Sequence, residues 1–91
     1  MKLEKYKIYS TDHAKQRYIN RHEEGLGSFD FPKTIRLYKD NYNDKKYYYN
    51  LDKGFMVFKK VGKKTFIIKT VTNKGKIDDR DYIDIGVDTY V

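Results

Sequence analysis

The chain of 91 residues contains no cysteine, which excludes a disulfide framework, a thiolate nucleophile and any cysteine-ligated zinc site. Long apolar runs are missing too. No stretch approaches the roughly 18 residues of a membrane span. The opening MKLEKYKIYS alternates charge with apolar residues and offers no apolar segment of signal-peptide type. The expectation is therefore a cytoplasmic protein without a membrane partner. Two histidines, His13 and His22, stand nine residues apart with no well-spaced carboxylate, which argues against a metal site. Asp78, Asp79 and Asp81 lack the spaced glycine and closing glutamate of a calcium loop. Gly25, Gly27 and Gly54 read as turn glycines, because the rest of a phosphate-binding or dinucleotide fingerprint is absent. No metal and no other cofactor is expected.

What the chain does have is aromatic bulk and positive charge. Ten Tyr and five Phe can bury enough area for a compact core, which argues against disorder. The net charge of +7 is uneven: residues 53–76 carry eight Lys and no acid, whereas residues 77–91 carry five Asp and one Arg. A lysine block of this kind attracts a polyanion through counterion release. Lysines on strand faces also keep sheets soluble, so the block alone does not define a site. Within it, Lys59, Lys60, Lys63, Lys64 and Lys69 are the candidate nucleic-acid contacts, with RNA the expected partner.

Residues 5–9 alternate as a half-buried strand does. Ser10, Thr11 and Asp12 offer caps for a first helix from Asp12 to Glu23 or Glu24, ended by Gly25 and Gly27. Pro32, with Asp30 near it, predicts a short second helix from Pro32 to Tyr38 or Lys39. Three strands follow at 46–51, 55–61 and 65–72, separated by turn signals. In the second and third of these, Phe55, Val57, Phe66 and Ile68 can line one face. A further strand is expected around residues 82–85, with Gly86 as a bulge or bend. In the run KYYYN, Tyr47 and Tyr49 share a face opposite Tyr48, and exposed tyrosines there could stack bases. The expectation is a single α+β domain, β-α-(α)-β-β-β-(β), with helices on one face of a mainly antiparallel sheet. Its core would span residues 5–76, with an acidic extension at 77–91.

On the first helix, 100° per residue places His13, Arg17 and Arg21 along one edge, over roughly 12 Å. Ala14, Tyr18, Ile19 and His22 form the stripe that faces the core. A histidine that moves a proton, with arginines one and two turns away to hold phosphate oxygens, suits metal-independent RNA cleavage. Solvated helices also carry basic residues at this spacing.

The stretch YSTDHAKQRYINRHEEGL, through Thr11, His13, Ala14, Arg17 and Arg21, resembles the opening of a family of small bacterial and phage domains related to RelE/BrnT-like toxins. The segment GKKTFIIKTVTNKG resembles that family's closing strand. The resemblance implies a RelE/barnase-like fold and a toxin-type endoribonuclease. It assigns catalysis to His13, Arg17 and Arg21, with Thr72 and Lys69 across the sheet, and implies an antitoxin or host protein as a second partner. The alternative is a non-catalytic protein that uses the scaffold to bind a host protein or a nucleic acid.

Overall fold

The computed structural model describes residues 3–16, 31–73 and 75–90. Among these residues six strands form in chain order: β1 (Lys5–Ser10), β2 (Thr34–Lys39), β3 (Lys46–Asn50), β4 (Phe55–Gly62), β5 (Thr65–Thr72) and β6 (Tyr82–Tyr90). They close into a barrel in the order β1-β5-β4-β3-β2-β6. The four pairings from β5 round to β6 are antiparallel, and β1 enters parallel to β5 on one side and to β6 on the other.

This architecture overturns the expected α+β, RelE/barnase-like fold, since the sheet closes into a barrel and among the described residues no helical layer packs on it. Two segments depart from the expected helices. Residues 34–39, expected as the second helix, form β2 with the burial alternation of a strand, Ile35 and Leu37 inward and Thr34 and Arg36 outward. Six residues cannot separate a period of 2 from one of 3.6, and the β-branched and aromatic content of TIRLY favours the extended chain. In the first helix, helical geometry is described for residues 12–16, while the remainder of that expected helix lies outside the described residues. Thr11 caps this turn: its hydroxyl accepts from the Ala14 amide at 3.1 Å and donates to the Ile68 carbonyl at 3.0 Å, tying the turn to β5. Ala14 is buried against the barrel.

The interior is filled by Tyr6 and Ile8 from β1, Ile35 and Leu37 from β2, Tyr47 from β3, Met56 and Phe58 from β4, Phe66, Ile68 and Val71 from β5, and Ile85 from β6. Each such side chain contributes about 1.5–3 kcal/mol by leaving water. Rings interlock through the middle, with Phe58 and Phe66 centroids 5.9 Å apart and Tyr47 and Phe66 5.2 Å apart. On β4, Met56 and Phe58 point inward, and Phe55 and Val57 lie on the outer wall, the reverse of the expected partition. The run FMVF is apolar on both faces, so alternation carries no signal there.

Two connections shape the outer wall. The β3–β4 hairpin turns at Gly54, whose φ of 84° is unfavourable for any residue with a Cβ. The crossover from β5 to β6 straps the outside of β3. There the Asn50 side chain donates to the Ile77 carbonyl at 2.7 Å and accepts from the Ile77 amide at 2.9 Å. Among the described residues no helix is long and apolar enough to cross a membrane.

A Cβ on Gly54 would lie 1.9 Å from the Thr72 carbonyl oxygen, whereas one on Gly75, with φ of 73°, meets nothing within 4 Å. Gly75→Ala should therefore cost about 1–2 kcal/mol, the left-handed backbone penalty alone. Gly54→Ala should cost roughly twice that or more, because β4 and β5 must separate to admit the methyl group. Urea denaturation of the two variants compares them directly, and equal losses would contradict this account of the turn.

Candidate nucleic-acid interface

The outer wall of β3, β4 and β5 gathers lysines that are far apart in the chain. In the β3–β4 register Lys46 stands opposite Lys59. Like charges placed across a strand pair destabilise it, so the arrangement works against stability and is carried by the packing of the barrel. Lys69 joins them where β4 and β5 slip register: Val57 pairs with Thr70 and Phe58 with Ile68, leaving Lys69 as the extra residue. The three lysines line a groove of about 330 Å³ together with Asn43, Val57, Phe58 and Thr70, and among the described residues no carboxylate lines it.

A second, open cleft of about 620 Å³ adjoins it and shares Lys59. Its other walls are Lys60, Val61, Gly62 and Lys63 from the β4–β5 hairpin, with Asp44, Lys45 and Tyr47 opposite. Lys64 lies at the rim, 3.3 Å from the Glu4 carboxylate, and the Lys60 and Lys64 ammonium groups are each 5.8 Å from the Tyr6 ring. Among the described residues Lys59, Lys63 and Lys69 enter no ion pair. Among the described residues the aspartates of the C-terminal third form no ion pair with the block: Asp84 binds Arg36 on β2, with Nε to Oδ1 at 2.9 Å.

The five lysines expected to contact nucleic acid thus divide between the groove and the cleft, with Lys64 beside the cleft. Lys45, Lys46 and Asn43 were not anticipated, because only the barrel register brings them beside Lys59 and Lys69, and Thr70, next to Lys69 in the chain, joins them across from Val57. Of the expected catalytic residues, His13 is exposed on the turn at residues 12–16, with Nε2 3.5 Å from the Thr70 hydroxyl. Thr72 lies near the end of β5, opposite Phe55 in the β4 register. Arg17 and Arg21, and His22 beside them, lie outside the described residues. The tyrosine run does not form an open stacking surface. Tyr47 points into the core, and Tyr48, on the outer wall, is covered by Phe55 at 5.4 Å and by the Arg80 guanidinium at 5.3 Å.

One carboxylate organises the turn that borders both the groove and the cleft. Asp40 accepts from the Tyr48 hydroxyl at 2.6 Å and from the amides of Tyr42 and Asn43 at 2.9 Å each, and Arg80 lies 3.6 Å away. The Tyr48 hydrogen bond, followed by that of the Tyr42 amide, holds Asp40 below the ordinary aspartate pKa of 3.8. Burial, reinforced by Asp40, pushes the Tyr48 phenol up.

Comparison with protein families, with curated proteins and with solved structures finds no match. The RelE/barnase-like architecture is not the one formed, and the toxin and ribonuclease readings that came with it lose their structural support.

Because folding lowers the Asp40 pKa, its ionised form contributes stability above pH 3.8 that is lost as pH falls through the folded-state value. Asp84, lowered by its Arg36 hydrogen bond, acts in the same direction. Asp40→Asn should remove part of the acid sensitivity and leave the part due to Asp84. Thermal melts between pH 3 and pH 7 measure this, and an unchanged pH slope in the variant would refute it.

Proposed function

We propose that this protein is a non-catalytic nucleic-acid-binding module that uses the outer wall of β3, β4 and β5. The observation that carries the reading is the Lys46–Lys59 cross-strand pair with Lys69 in the same groove. Concentrating positive charge where it weakens the sheet is compensated when a phosphate backbone lies across it. The cleft with Lys45, Lys60 and Lys63 extends the surface, so a strand crossing from groove to cleft meets lysines along its path. Phosphate contacts of this kind set position and affinity but carry no sequence code. RNA is the first ligand to test, since the lysine block by itself asks only for a polyanion.

Fluorescence anisotropy with labelled RNA and DNA tests the reading. Binding should weaken steeply with salt, and the slope of log affinity against log salt should become shallower by about 0.7–0.9 for each phosphate contact removed in Lys46→Ala and Lys59→Ala. Absence of binding at about 50 mM salt, or an unaltered slope in the double variant, would overturn it. The RNA should be recovered intact in EDTA. Cleavage abolished by His13→Ala would replace this reading with the enzymatic one.

A further inference from the structure

The turn at residues 40–45 presents an aromatic ring to solvent in a manner unlike the other described tyrosines. Tyr42 is 98% exposed. By contrast Tyr82, at 48%, is covered on one face by the Arg36 guanidinium at 3.9 Å and touches Tyr38 at 5.8 Å. Tyr42 has no ring contact of this kind among the described residues.

The backbone that carries it is held firmly. Asp40 accepts from the Tyr42 and Asn43 amides, the Asn43 side chain accepts from the Lys45 amide at 3.0 Å, and the Asn43 carbonyl accepts from the Lys46 amide at 3.1 Å. The base of the turn is closed by the Asp40 amide donating to the Lys46 carbonyl at 3.1 Å. A fixed backbone lowers the entropy lost when the ring is engaged. The next residues supply the basic surface: Asn43 and Lys46 line the groove, and Asp44 and Lys45 line the cleft.

We infer that Tyr42 is a base-stacking residue and that the ligand of the basic wall is a single-stranded nucleic acid. The inference rests on the reading of that wall as a phosphate-binding surface. An exposed ring beside lysines can engage a base only if the base is free of its duplex partner. A paired and stacked base offers no open face. Stacking is indifferent to base identity, so the ring adds affinity without demanding a sequence. The lysines hold the backbone and Tyr42 selects the unpaired strand.

The test compares wild type, Tyr42→Ala, Tyr42→Phe and Lys59→Ala on a short labelled single strand and on a duplex of the same sequence, each as RNA and as DNA. Tyr42→Ala should weaken single-strand binding roughly 5- to 150-fold, the range for loss of one stacked base. Its effect on the duplex should be under about two-fold, and its salt slope should match wild type, since no phosphate contact is removed. Tyr42→Phe should bind as wild type does, because the ring is retained. Loss on either the RNA or the DNA strand supports the inference and identifies the sugar. Wild-type affinity in Tyr42→Ala, or equal loss on strand and duplex, overturns it. If Lys59→Ala still weakens binding in that case, the basic-wall reading stands without the stacking residue. Wild type that binds neither form defeats both.

Discussion

Strand β1 lies in parallel between β5 and β6, and this double pairing converts a five-stranded antiparallel sheet into a closed barrel. Without it the edges of β5 and β6 would each present unpaired amides and carbonyls. With it, Tyr6 and Ile8 enter the interior to meet Phe66, and the Lys7 amide reaches the Lys64 carbonyl at 2.8 Å. The Thr11 cap and the Gly86 amide, which donates to the Glu4 carbonyl at 2.8 Å, fasten the two ends of the strand.

A six-stranded barrel has room inside for side chains only, and Phe58, Phe66, Leu37, Met56 and Ile68 occupy it. Chemistry is therefore displaced to the outer wall. That wall is divided: the strap at Ile77 to Arg80 covers part of β3, the Arg36–Asp84 pair occupies β2 and β6, and the lysine groove is left across β3, β4 and β5. The division follows from strand order, because β6, with its aspartates, lies on the far side of β2 from the lysines of β4. Asp40 sits at the boundary, joining Tyr48, the strap and the turn through one carboxylate.

Strands were legible where both turn residues and mixed polarity marked them. Strands β3, β4 and β5 fall within a residue or two of the expected spans, and the C-terminal run does form a strand, longer than expected and joined to β1 and β2. The helix expected at Pro32 failed because proline and a nearby acid are common to helix starts and strand entries. The barrel itself was not legible, since β1 pairs with residues more than fifty positions away and nothing local reports a parallel pairing. The lysine block was visible as composition, but its meaning depended on register: Lys46 belongs to a different segment and joins Lys59 only through pairing. Tyr42 carries no sequence signal distinguishing it from its nine counterparts. Its exposure follows from how Asp40 folds the turn.

The parallel placement of β1 also sets an order of events during synthesis. Among the described strands β1 is made before its two neighbours, β5 and β6, so Tyr6 and Ile8 have no finished wall to enter until those two exist. Hairpins β3–β4 and β4–β5 can form locally beforehand, whereas closure must join β1 to residues more than fifty positions away, a topology that folds slowly. For that interval β1 is an unpaired strand with one apolar face. The alternating Lys5 and Lys7, exposed on its outer side, are the charges that discourage it from pairing with other nascent chains.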